Sequence, residues 1–218
     1  MIPELELDTR SKLLKAAVTV FGKVGYAGAS VRHIADLAGV NHGSIRYHYA
    51  TKRDLWCASI SHLFGMMERH VHRDESHWRT MTPRERIINV TGNYIRFNAR
   101  NPELRRMMIF ETIYEGELGD WLNENFIRPF TDRSLATIAL AQQQGVYPKH
   151  IPALNIHYIN LAAATSVFLM APEIDKNFGI DVFEDSEIER HIEATLAMLL
   201  SVSVENKRDV FKEIIARH

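Results

Sequence analysis

The 218-residue sequence has a single cysteine, Cys57. Neither an internal disulfide nor a multi-cysteine zinc site can be built from it, which suits a reducing compartment. There is no basic N-terminal region followed by an apolar run, so no secretory leader is expected. The most apolar stretch, Ile151 to Ala171, is interrupted by Pro152, Asn155, His157 and Asn160. Those polar groups are costly in lipid, and a helix inside a protein core fits the stretch better than a membrane span. Catalytic signatures are missing too: no phosphate-cradling glycine loop, no Gly-x-Ser-x-Gly elbow, no His-Glu-x-x-His pair. Nothing points to an enzyme or to a resident cofactor. Internal repeats, low-complexity tracts and convincing alternating strands are also lacking.

What is present is a helical pattern with uneven charge. Apolar residues make up 46% of the chain, enough for a sizeable core, and the formal net charge is only −1. From Thr9 to Trp56, however, eight Lys or Arg face two acids, a surplus of six positive charges. The rest of the chain is acidic. A basic N-terminal segment on an acidic body suits a protein whose first part meets a polyanion.

The local signals predict an all-α chain of about nine helices. Leu13, Leu14, Ala17, Val20 and Phe21 share one helical face, with Gly25 as a stop. Ser30 is an N-cap for a short helix to Ala38, and Gly39 breaks it. Asn41 caps a third helix to Tyr49, and Thr51 with Asp54 opens a long fourth one. Thr82-Pro83-Arg84-Glu85 and Asn101-Pro102-Glu103 start two more. A pattern from about Glu117 to Gln144 is expected to kink or split at Pro129. The Ile151–Ala171 helix is expected to stop before Pro172. The segment 172–185 reads as a loop, and Ser186 with Glu189 as the capping box of a last helix to about Val202.

Within Val31–Tyr49 the spacing is that of a helix-turn-helix. Ala35 allows close helix approach, Gly39 suits the left-handed turn, and Ile34, Val40 and Ile45 supply a small core. This arrangement presents the start of the Asn41–Tyr49 helix to a major groove, with His42, Ser44, Arg46, Tyr47 and His48 as outward hydrogen-bonding candidates.

The wider segment resembles the tetracycline-repressor (TetR) family of regulators. The resemblance runs through Thr9-Arg10 to Ala16-Ala17, Phe21-Gly22, Gly25-Tyr26, Ser30 to Ala35, Ala38-Gly39-Val40, Gly43 to Tyr49 and Thr51 to Leu55. It implies a three-helix DNA-binding head over residues 1–55 and a helical effector-binding and dimerisation body over residues 56–218. It also implies roles for single residues. Ser30 opens the second helix, whose N-terminus approaches a phosphate, and Arg32 in its first turn could reach a phosphate or a base. Gly43 lets the backbone come close to DNA. Ser44 and Arg46 read bases, and Tyr47, His48 and Lys52 grip the backbone. His42 stands where lysine is common, so affinity is expected to rise on acidification. Arg46 stands where an aromatic residue is frequent, and could read a guanine or hold a phosphate.

The implied partners are a palindromic double-stranded operator, a second copy of the chain and a small, largely apolar effector, in the cytoplasm and without a membrane. Two stripes suit dimerisation: Ile156, Ile159, Ala163, Val167 and Met170, then Ile188, Ile192, Leu196, Leu199 and Leu200. In the body, Tyr94, Met108, Glu111 and His157 are the effector candidates. Glu111 is a carboxylate on an apolar stripe, which needs a ligand, water or an ion pair with Arg96 or Arg105. His62, His70, His72 and His77 offer an alternative, a metal-responsive regulator.

Overall fold

A computed structural model describes residues 8–72, 80–113 and 116–200, apart from the side chain of Ser44. The described residues are helical, without strands. In chain order the helices are α1 Thr9–Gly28, α2 Val31–Ala38, α3 His42–His48, α4 Lys52–Val71, α5 Pro83–Arg100 and α6 Pro102–Thr112. After these come α7 Glu117–Leu122, a π-helical turn Asn123–Ile127, α8 Arg128–Gln143, α9 Ala153–Leu169, α10 Ala171–Phe178 and α11 Asp185–Leu200. Two compact units result. One holds α1 to α3, α4 up to Glu68, and Asn101–Glu124. The other holds Arg69–Arg100 and the elements from Asn125 onward.

The helix starts follow the expected chemistry. Asp8 Oδ1 accepts from the Ser11 N–H at 2.7 Å, and Ser30 Oγ from the His33 N–H at 3.4 Å. Asn41 Oδ1 accepts from the Gly43 N–H at 2.8 Å. Thr51 and Asp54 form a reciprocal box before α4, with both backbone bonds at 3.0 Å. Thr82 and Glu85 do the same before α5. Each such cap satisfies backbone donors that the first helical turn leaves open, worth about 1 kcal/mol.

Two expectations are corrected. The helix before Pro172 ends as expected, at Leu169, but the segment 172–185 is not a loop throughout: α10 fills it to Phe178. Pro172 occupies the first turn of α10, where its missing N–H costs nothing. Ser186 and Glu189 form no capping box: the Glu189 carboxylate is held by the Arg96 guanidinium in two bonds of 2.6 and 2.5 Å. The long helix before Gly145 splits just ahead of Pro129, as expected, through the π-helical turn. A proline ring crowds the preceding turn, and a widened turn relieves it. The expected end near Val202 lies outside the described residues.

The first unit is cored by Leu13, Ala17, Phe21, Ile34, Leu55, Trp56, Leu104 and Met107, all buried. Trp56 meets Trp121 edge-on, with ring centres 5.9 Å apart. In the second unit Ile95, Ala99, Ala164, Phe168, Ile188 and Ile192 make one buried cluster. Ile87, Ile138, Ala141, Tyr147, Ile156 and Leu200 make another. No single helix among the described residues is long and apolar enough to cross a membrane.

Candidate nucleic-acid interface

The head is organised around the turn between α2 and α3. Gly39 takes the left-handed conformation (φ 66°), and its N–H and that of Val40 close the end of α2 onto Asp36 and Ala35 carbonyls. Ile34, Ala35 and Ile45 are buried, so the two helices share an apolar seam. With Ile45 turned inward, the helical period turns Arg46 and Tyr47 away from the seam. Arg46, Tyr47 and His42 are exposed, and Tyr47 is 86% exposed. An aromatic ring so exposed on a seven-residue helix has no packing role to explain it.

The other candidates divide by what they touch. Arg32 is exposed in the first turn of α2, after the Ser30 cap. His48 is half-buried and meets the Tyr47 ring edge-on, with centres 5.0 Å apart. His42 Nε2 lies 3.1 Å from Asp36 Oδ1, across the turn. The Lys52 ammonium donates to the Ala29 carbonyl at 3.0 Å and lies 4.3 Å from the centre of the Tyr26 ring. In this state Lys52 ties the start of α4 to the link between α1 and α2. Ser44 belongs to α3, but its side chain lies outside the described part. At Gly43 an added Cβ would meet only Asn41 Oδ1, at 3.5 Å, so the fold itself does not require glycine there.

Thr9, Asn41, Gly43, Tyr47 and His48 border an open depression of about 510 Å³. Thr9 and Asn41 are additions to the residues read from the sequence. Asn41 was legible only as a cap, and Thr9 lies far from α3 in the chain, so no local spacing joins them. The depression combines hydroxyl, amide, imidazole and phenol groups, which are donors suited to a phosphodiester backbone.

The effector candidates fall into both units. In the second, Phe130 lies between Tyr94 and His157, 6.1 Å from each ring. His157 is buried, and its Nδ1 lies 2.8 Å from the Ser134 hydroxyl. Burial pushes its pKa below the usual imidazole value, which keeps the ring neutral. One turn further on, Asn160 Nδ2 donates to the Tyr147 hydroxyl at 3.0 Å. Its Oδ1 is buried and finds no protein donor among the described residues. In the first unit Met108 is half-buried on α6, and Glu111 Oε1 accepts from the Tyr26 N–H at 3.2 Å. Glu111 therefore pairs with backbone, while Arg96 serves Glu189.

Among the described residues no three His, Cys, Asp or Glu side chains converge as metal ligands would, and His77 lies outside them. The His70 ring instead packs 5.9 Å from Phe97. Cys57 is half-buried, and burial raises its thiol pKa, the opposite of what a nucleophile needs.

A short exposed helix set on a buried turn, with basic and aromatic groups outward, defines a helix-turn-helix DNA-binding head. Residues 13–57 match the family described as bacterial regulatory proteins, tetR family, and the head belongs to that family. Curated relatives agree. The HTH-type transcriptional repressor NicS of Pseudomonas putida is 27% identical over 111 residues, 50% of each chain. The HTH-type transcriptional regulator BetI of Pseudomonas fluorescens is 26% identical over 102 residues, 46% of this chain and 52% of that one. The chain thus spans about half the length of the curated relatives it matches. Solved structures extend the likeness to the whole fold. AibR, in complex with isovaleryl coenzyme A and operator DNA, has a TM-score of 0.70 at 16% identity, covering 88% of this chain and 98% of that one. The fatty acid degradation regulator FadR from Bacillus halodurans has a TM-score of 0.63 at 17% identity, covering 88% and 97%.

Proposed function

We propose that this protein is a dimeric transcriptional repressor that binds a palindromic operator through α3 and responds to a small, largely apolar effector. The observation that carries the reading is the outward presentation of Arg46 and Tyr47 from a helix anchored by Ile34, Ala35 and Ile45. Arg46, exposed on α3, reads a base edge in the major groove. Arg32, Tyr47, His48 and the Thr9–Asn41 depression serve the phosphates. NicS, a named repressor, supports the direction of control.

So short a recognition helix covers few base pairs, and a second copy doubles the contacts. The face for that copy takes in only part of the stripes read from the sequence. Ile156, Ile188, Ile192 and Leu200 are buried in the chain's own core. What remains outward on α9 is Leu154, Tyr158, Ile159 and Met170, with Met198 on α11. The two helices pack together, His191 Nε2–H donating to the Ala163 carbonyl at 2.8 Å. Their shared outer face is apolar enough to need cover.

For the effector, Tyr94, Phe130 and His157 offer an aromatic wall, and Asn160 Oδ1 an acceptor awaiting a donor. Such a site suits an apolar molecule with one polar end. The AibR complex, which holds both an acyl-coenzyme A and operator DNA, supports a small organic effector. Its binding acts only by the difference in its affinity for the DNA-bound and free conformations. Selection from random duplex DNA, followed by titration of a ligand panel into the complex, tests the reading. The expected result is a two-fold symmetric site whose affinity shifts with a ligand. An unenriched pool counts against operator binding, and an unmoved affinity across the panel counts against the effector.

A further inference from the structure

Helix α1 does not run straight to its end. At Gly25 the backbone takes φ 69° and ψ 179°, far from helical values. Such a residue turns the next peptide off the helical ladder, and Tyr26 begins a new turn with its N–H uncovered. A helix start is ordinarily covered by a short polar side chain beside it, and Gly25 has none. The Tyr26 N–H donates instead to Glu111 Oε1 on α6, 85 positions away in sequence.

The rest of α6 is fitted to the same place. A Cβ at Gly22 would stand 2.7 Å from Glu103 Cβ, and one at Gly25 would stand 3.1 Å from Phe110 Cγ. Glu103, Phe110 and Glu111 are spaced to share one face of α6. Two glycines therefore let that face lie directly on the bend, and a carboxylate accepts the N–H that the bend leaves open.

Beyond the bend, the Tyr26 ring stacks on Phe21 (6.3 Å between centres) and meets Trp56 edge-on (6.4 Å). Lys52 lies over its face and holds the Ala29 carbonyl, the residue before the Ser30 cap of α2. The path from Glu111 through Tyr26 and Lys52 to Ser30 stays within one compact unit and ends at the start of the helix-turn-helix.

We propose that Glu111 is a positioning residue for DNA binding: it caps the α1 bend from α6 and so fixes the entry of α2. This rests on the DNA-binding reading and assigns the carboxylate a backbone partner in place of an effector. Glu111→Gln keeps an oxygen acceptor of the same reach, and Glu111→Met removes it at similar length. Hydrogen exchange on the full chain reads the cap itself. The Tyr26 amide is protected in the unaltered protein and in Glu111→Gln, and it exchanges faster in Glu111→Met together with residues 27–30. Operator binding reads the consequence: Glu111→Met weakens it about fivefold or more with the same base preference, and Glu111→Gln leaves it within about twofold.

An open Tyr26 amide in the unaltered protein overturns the cap without any variant. So does wild-type protection in Glu111→Met, or a Glu111→Gln variant as weak on the operator as Glu111→Met. If the unaltered protein selects no DNA, the DNA-binding reading falls, and the exchange result still decides the cap.

Discussion

Asp36 and His42 face each other across the turn of the head, His42 Nε2 lying 3.1 Å from Asp36 Oδ1. Both side chains are about half exposed, so the contact contributes little to stability. It does place a carboxylate beside the helix proposed to meet phosphates, and it occupies an imidazole that could serve them. Asp36→Asn removes a repelling charge and frees His42. Operator affinity is expected to rise several-fold at low salt, with the gain shrinking as salt is added. A fall in affinity in the same titration assigns the pair to holding α3 in place.

The glycines of the head separate stability from DNA contact. Gly22→Ala forces α1 and α6 apart, since its Cβ meets Glu103 at 2.7 Å. Gly25→Ala adds a positive φ to a 3.1 Å contact with Phe110. Each is expected to cost about 1–3 kcal/mol in thermal or denaturant unfolding. Gly43→Ala meets only Asn41 Oδ1 at 3.5 Å and is expected to melt like the unaltered protein. If Gly43 lets the backbone approach DNA, that variant still binds the operator more weakly. Normal binding by Gly43→Ala removes Gly43 from the interface.

Local chemistry made much of the head legible. The caps at Ser30, Asn41 and Thr51 and the turn at Gly39 each involve residues within a few positions, and these signals fixed α2, α3 and the start of α4. Contacts between distant segments were not legible. The Glu111–Tyr26 bond joins residues 85 positions apart, and no pattern in α6 names its partner. Pro172 marks the end of one helix, and only the packing of the segment after it shows that it also begins another. The α9 and α11 stripes were visible as apolar periodicity. Which side each turns to its own core depends on the neighbours, and the outward side proved to carry Leu154, Tyr158, Ile159 and Met198.

That outward side makes a prediction about assembly. Ile159 is 55% exposed and Met198 78% exposed in the single chain, so a charge at either position costs the fold little. Ile159→Glu with Met198→Glu is expected to yield a folded monomer in sedimentation, with normal helicity and much weaker operator binding. A double variant that remains dimeric moves the interface elsewhere.

The buried histidines predict a pH dependence. Burial lowers the pKa of both His157 and His191 below the usual imidazole value. The unfolded chain then binds more protons than the folded one as pH falls, so stability is full above about 6.5 and declines below it. Thermal unfolding between pH 7.5 and pH 5.5 checks this: the midpoint is expected to fall. His157→Gln, which keeps a polar contact for Ser134 but does not titrate, is expected to flatten the decline. An equal slope in that variant assigns the loss to other groups.

The central claim is that α3 reads an operator, with Arg46 at a base edge. Parallel selections from random duplex DNA with the unaltered protein and Arg46→Ala test it most directly. The account predicts a two-fold symmetric site for the unaltered protein. In Arg46→Ala, preference is lost at one position per half-site, a loss of about 1–3 kcal/mol if Arg46 bonds a guanine through two hydrogen bonds. A variant that keeps the full preference and binds uniformly more weakly contradicts base reading by Arg46, and an unaltered protein that enriches no sequence contradicts the account itself.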